Sequence, residues 1–125
     1  MSIRTPALIS VGGGLGAGAR YGLELLVAPP WGTLLINVVG CFLIGVLMAF
    51  VADGTAPAWA RPLLGVGVLG GFTTFSAYTV DARAFLISHE YRQAAVYLCG
   101  TIVLAMVAVF AGSAMTRGVK NGGRR

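Results

Sequence analysis

The chain has 125 residues, 57% of them hydrophobic and only 10% charged, with a mean hydropathy of +0.84. A soluble domain carries roughly 25% charged residues, so there is too little charge here to cover a water-facing surface, and a single membrane domain is the first inference. The net charge of +5 does not point to nucleic acid, because four of the nine cations (Arg117, Lys120, Arg124 and Arg125) fall in the last nine residues. A short basic tail after an apolar run reads as an anchor beside anionic lipid.

A membrane helix needs about 20 apolar residues. The first such run extends from Pro6 to Ala28, with Thr5 placed to cap it, Pro6 at the first helical position and Pro29-Pro30 ending it. The second runs from Trp31 to Ala52, the third from Pro62 to about Ile87, and the fourth from about Gln93 to Met115. Trp31, Trp59 and Tyr91 fall at the boundaries, where aromatic rings favour the membrane interface. The linkers are short and leave nothing for a soluble domain. The prediction is an all-α, multi-pass protein of the inner (plasma) membrane, targeted by its first helix rather than by a signal peptide. With four spans, the N-terminus, second linker and tail share one side. They carry Arg4, Arg61 and the four tail cations, six in all, against two, Arg83 and Arg92, on the other. That bias, more than half of it from the tail, favours both termini inside.

Several residues do not belong in lipid. "GGGLGAGARYG" in the first run contains part of a dinucleotide fingerprint, but that motif needs a preceding strand and a βαβ unit. Close helix packing through small residues is the better reading, with Gly12, Gly16 and Arg20 on one face. An intramembrane Arg is costly unless paired or snorkelling, and Glu24, one turn on, is in reach of Arg20. Arg20 is then either an anchor at a helix end or an inward cation that draws anions into a vestibule. Asn37, Cys41 and Gly45 are spaced by four on the second run. Asn37 either joins two helices or turns its amide NH₂ to an anion. Cys41 and Cys99 read as small core residues. On the fourth run Tyr97, Thr101 and Ala105 share a face. Thr101 either bonds back to its own helix or adds to a track of donors.

The third run is interrupted by "GGFTTFSAYTVDA", residues 70–82. Gly70-Gly71 weakens a helix, and Thr73, Thr74 and Ser76 compete for backbone hydrogen bonds. A break at mid-membrane depth is expected. Such a break is tolerated only where protein or a wet cavity satisfies the backbone, and it commonly exposes carbonyls to a cation and amides to an anion. Phe75 and Tyr78, three apart, share a face.

These three motifs, "GGGLGAGARYG", "GTLLINVVGCFLIG" and "GGFTTFSAYTVD", resemble in order those of the Fluc (CrcB-type) fluoride channels, and the resemblance covers nearly the whole chain. It implies an antiparallel dimer with two pores for passive fluoride export. The second subunit is another copy or an oppositely inserted paralogue. It also implies a central structural Na⁺, not transported, held by the backbone carbonyls of Gly70 and Thr73. Phe75 falls at the first pore phenylalanine, Asn37 at the pore asparagine, and Tyr97 and Thr101 on the polar track. Three positions depart from the pattern. Tyr78 stands at the second phenylalanine, Asp81 where Glu is common, and Ala105 where Ser is frequent.

Fluoride is small and strongly hydrated, so a pore must replace water with several weak donors. An aromatic ring has a positive edge. Phe75 and Tyr78 presented edge-on, the Asn37 amide, and the hydroxyls of Thr74, Ser76, Tyr97 and Thr101 make up the expected path. The runner-up reading is a small multidrug-type, proton-coupled cation exporter, which needs a membrane-centred carboxylate, and Glu24 is the acid that the first run offers. An enzyme is not expected, since the single His89 lies in a linker beside Glu90.

Overall fold

A computed structural model describes residues 3–122. Arg124 and Arg125 of the basic tail lie outside the described residues. The elements in chain order are α1 (Arg4–Leu26), α2 (Trp31–Ala52), a π-helical stretch π1 (Arg61–Leu69), α3 (Gly70–Phe72), α4 (Phe75–Ile87) and α5 (Tyr91–Gly122). There is no strand among the described residues.

Among the described residues, three helical stretches are long and apolar enough to cross a membrane: Trp31–Ala52, Arg61–Ile87 and Tyr91–Gly122. The glycine-rich α1 is not among them, although it has 23 residues. Its start also differs from expectation. The helix begins at Arg4, with Ile3 in the cap position and no side-chain cap, so Thr5 lies inside the first turn rather than before it. The fourth helix outruns its predicted ends and spans 32 residues. Arg117 and Lys120 therefore stand on its last turns rather than on a loose tail.

Two seams made by glycine hold the helices together. On α1, Gly12 and Gly16 are buried. A Cβ on Gly12 would sit 2.9 Å from the Val68 amide nitrogen and 3.0 Å from the Gly67 Cα, and one on Gly16 would press on the Val68 carbonyl. Bare backbone surfaces let α1 lie directly on π1 and α3, as small residues do in membrane bundles. The second seam joins α2 and α5, where Gly45 faces the backbone of Val109 and Gly112 faces that of Phe42.

The π1 stretch was not foreseen. Its i→i+5 hydrogen bonding widens the helix over "RPLLGVGVL", where Pro62 removes one backbone donor and Gly65 and Gly67 remove side chains. The helix then stops after Phe72 and resumes at Phe75, with Thr73 (ψ 151) and Thr74 (φ −147, ψ 124) extended between.

Candidate functional site

The interruption is organised by Asn37, a buried residue of α2. Its Nδ2 donates to the Thr74 carbonyl at 3.0 Å, and the Thr74 amide donates to its Oδ1 at 2.8 Å. One side-chain amide thus binds both the backbone donor and the backbone acceptor of Thr74. Thr74 in turn caps α4, its Oγ1 accepting from the Ala77 amide at 3.2 Å, the usual role of a Thr at this position. Its Oγ1 also shares a hydrogen bond with Ser76 Oγ at 3.3 Å. Thr73 closes the preceding turn, with both its amide and its hydroxyl donating to the Leu69 carbonyl at 2.9 Å. Gly40 of α2 makes room for it, since a Cβ there would meet Thr73 Cγ2.

These diversions free carbonyls. The Thr74 amide, which would reach Gly70 in a continuous helix, is taken by Asn37. The Ala77 amide, which would reach Thr73, is taken by Thr74 Oγ1. The Gly70 and Thr73 carbonyls therefore lack helical donors. Bare backbone oxygens are the ligands a hard cation such as Na⁺ prefers over nitrogen or sulfur donors. The residues present fit such an ion.

Beside the interruption lies a cavity of about 260 Å³, lined by Asn37, Cys41, Thr73, Thr74, Phe75, Tyr78, Thr101, Ile102 and Ala105. Five residues expected on an anion path, Asn37, Thr74, Phe75, Tyr78 and Thr101, share this wall, with residues from α2, α4 and α5. Phe75 is 76% exposed, so its ring stands at the open side. Phe75 and Tyr78 pack at 5.7 Å between centroids with planes 42° apart. Tyr78 is buried, and its hydroxyl donates to the Leu98 carbonyl at 2.6 Å. Its phenol oxygen is thereby committed to α5, and the ring is what Tyr78 shares with a phenylalanine. Thr101 is 5% exposed, and its Oγ1 has no hydrogen-bond partner among the described residues. The reading in which Thr101 bonds back to its own helix does not hold. Its donor is uncommitted.

The other predicted site residues stand apart from this cavity. Ser76 is exposed, and its hydroxyl shares a hydrogen bond with Thr74 Oγ1. Tyr97, 2% exposed, is packed behind Tyr78 at 5.4 Å between centroids, and its hydroxyl donates to Asp81 Oδ2 at 3.2 Å. Arg20 bridges α1 to the third segment. Its Nε lies 3.4 Å from the Gly71 carbonyl and its Nη1 lies 3.8 Å from Glu24 Oε1. Glu24, the acid an ion-coupled exporter would use, is thus engaged by a cation. His89 lies exposed in the α4–α5 turn, 3.0 Å from the Tyr91 hydroxyl.

Sequence reasoning read Cys41 as a small core residue and left Thr33 out. Cys41 lines the cavity instead of merely filling the core, while Cys99 is exposed. Thr33 is fully buried, and its hydroxyl oxygen meets no hydrogen-bond partner of good geometry among the described residues. The signal for both was present. Thr33, Asn37 and Cys41 are spaced by four, one face of one helix.

The family described as "CrcB-like protein, Camphor Resistance (CrcB)" matches residues 7–113. Among similar curated proteins is "Fluoride-specific ion channel FluC 2" of Nocardia farcinica, 42% identical over 94% of this chain and 88% of the relative. The protein of the same name from Thermobifida fusca is 44% identical, over 93% of this chain and 90% of its own. "Fluoride-specific ion channel FluC" of Rhizobium etli is 44% identical over 88% of this chain and 94% of its own. Together with the apolar helices, these matches make the protein a multi-pass protein of the inner membrane. A match over nearly all of the chain, and relatives this similar along nearly their whole lengths, establish that it belongs to the CrcB-like family.

Proposed function

We propose that this chain is a passive fluoride channel that lets the anion leave the cytoplasm. The observation that carries this reading is the single cavity wall shared by Asn37, Phe75, Tyr78 and Thr101. It offers an amide, two ring systems and an uncommitted hydroxyl, all weak partners for an anion. Fluoride entering there exchanges water for the positive edges of Phe75 and Tyr78, the second Nδ2 hydrogen of Asn37 and the Thr101 hydroxyl. None of these is a full charge, so the ion is held firmly enough to enter and loosely enough to leave. The names of the relatives support the choice of ion.

In this reading all 125 residues form one membrane domain, with α1 as a fourth span beside the three apolar ones. Thr73–Thr74 then lies near the bilayer midplane, where only protein or a wet cavity tolerates extended backbone. Ser76 and Tyr97 extend the path beyond the cavity, and Arg20 favours anions at one end. A second copy, or an oppositely oriented paralogue, inserts antiparallel against the first. The carbonyls of Gly70 and Thr73 from both chains would hold a structural Na⁺ and lock the pair. Export follows from acid chemistry. HF crosses as a neutral acid, ionises in a more neutral cytoplasm and is trapped there. The membrane potential then drives the anion out by about 2.3 kcal/mol per charge per 100 mV, with no ATP needed.

The deciding experiment is fluoride efflux from liposomes holding the purified single chain, with Na⁺ and without it, beside Phe75→Ile. Rapid efflux that Phe75→Ile abolishes without dissociating the protein is expected. No efflux from the intact chain would sink the homomeric channel, and full efflux from Phe75→Ile would sink the ring-edge path. Undiminished stability and flux in Na⁺-free medium would remove the cation.

A further inference from the structure

Two neighbouring hollows between α2 and α5 are not part of the cavity above. One, of about 270 Å³, is lined by Ala49, Ala52, Asp53, Arg117, Lys120 and Asn121. The other, of about 300 Å³, is a nearly wholly apolar groove whose walls include Phe42, Val46, Phe50, Met115 and Val119. Lys120 borders both. A polar basin and an apolar groove thus open on either side of one side chain.

Charge in the basin is unevenly spent. Lys120 pairs with Asp53, donates to Thr55 Oγ1 at 2.9 Å and lies 4.2 Å above the Phe50 ring. The Lys120 ammonium, with the Thr55 hydroxyl and amide, holds the Asp53 carboxyl well below the usual carboxylate range, so the Lys120–Asp53 pair is neutral as a whole. Arg117 has neither ion pair nor hydrogen bond among the described residues. It leaves the basin one net positive charge, beside the two amide donors of Asn121.

Depth decides what kind of anion reaches it. A helix of 32 residues is about 48 Å long, against a hydrocarbon layer of about 30 Å. The last turns of α5 therefore emerge into the headgroup layer, and the groove below them lies among acyl chains. We propose that these two hollows hold one anionic phospholipid, its phosphate against Arg117 and Asn121 and an acyl chain in the groove along Val46 and Val119. A free phosphate would use the basin alone and has no use for the groove. Arg117 supplies the charge, and Lys120, tied down by Asp53, forms the rim between head and tail. The inference rests on the chain spanning a membrane and is independent of which ion it conducts.

Native mass spectrometry of the full chain released from nanodiscs of mixed phosphatidylglycerol and phosphatidylcholine tests this. One phosphatidylglycerol per chain is expected to remain bound in preference to phosphatidylcholine. Arg117→Gln should weaken its retention about fivefold, the effect of one surface cation, while Arg117→Lys restores most of it. Val46→Trp, which fills the groove, should lower retention with the charges intact, and Arg83→Gln, which borders neither hollow, should leave it unchanged. Equal retention of both lipids, indifference to Arg117→Gln, or displacement by millimolar inorganic phosphate would overturn the proposal.

Discussion

α1 presses on π1 and α3 backbone to backbone, whereas α4 is held to α2 and α5 through side chains. On the first side Gly12 and Gly16 meet Gly67 and Val68 with nothing between them. On the second, Asn37 grips Thr74, Tyr78 reaches Leu98, and Tyr78 and Tyr97 stack at 5.4 Å. Thr73 and Thr74 are where one kind of attachment gives way to the other. A seam of bare backbone has no rotamers and cannot adjust. A wall of amide, ring and hydroxyl groups can offer donors to something that passes. The rigid half fixes where the interruption falls, and the polar half decides what it can do.

The largest expected effect is on the rigid half. Gly16→Leu forces a side chain into the Val68 carbonyl, which has no side-chain end to swing away. A loss of about 3 kcal/mol or more is expected, seen as failure to recover monodisperse protein in detergent. Gly18 lies on the same helix with open space around it, and Gly18→Ala should change thermal stability by no more than about 1 kcal/mol, toward greater stability. If both variants behave alike, the seam is not what holds α1.

Next comes the junction. Asn37→Ala strands the amide of Thr74, worth about 1–3 kcal/mol when buried without a partner, and takes one donor from its carbonyl. Denaturation in detergent should report a loss of about 1–3 kcal/mol together with loss of flux. Asn37→Asp keeps the acceptor for the Thr74 amide and so should lose less stability, yet it sets a negative charge on the cavity wall and should block anion flux by like-charge repulsion. Normal conduction in Asn37→Asp would make Asn37 a brace and nothing more.

A smaller effect separates ring from hydroxyl at Tyr78. Tyr78→Phe removes one hydrogen bond to a carbonyl on α5, so a loss of about 1 kcal/mol is expected, with flux retained. Flux that falls while melting temperature stays put would mean that the phenol oxygen takes part in conduction.

How much of this was legible in the sequence differs between the two halves. The helix order, the glycine face of α1 and the disturbed stretch at residues 70–82 follow from hydropathy and residue type alone. Those signals are local. The wide π1 turn was not legible, because i→i+4 and i→i+5 bonding leave the same apolar composition. The length of α5 was hidden because its last turns are polar, and polar residues end a hydropathy run without ending a helix. Within the cavity, Asn37, Phe75 and Thr101 were found from type and spacing. Spacing could not say that Asn37 would spend a donor and an acceptor on Thr74, that Tyr78 would turn its hydroxyl to Leu98, or that Tyr97 would sit behind the wall on Asp81. Those are choices between partners on different helices, and they depend on how α2, α4 and α5 come together.

The smallest effect on stability carries the clearest test of function. Thr101 is 5% exposed, and its Oγ1 has no partner among the described residues. A buried hydroxyl without a partner already costs the fold its lost hydration. Thr101→Val keeps the shape and removes that penalty, so stability should hold or rise by about 1 kcal/mol. If the hydroxyl serves only packing, flux should hold as well. If it is kept for a passing anion, flux should fall in Thr101→Val and survive in Thr101→Ser, which retains the donor. A variant that melts no lower than the parent yet conducts less cannot be explained by damage to the fold. Unchanged flux in Thr101→Val would take Thr101 off the path and leave the rings and Asn37 to account for it. Lower stability in Thr101→Val would mean that the hydroxyl has a partner after all, such as a bound water on the cavity wall.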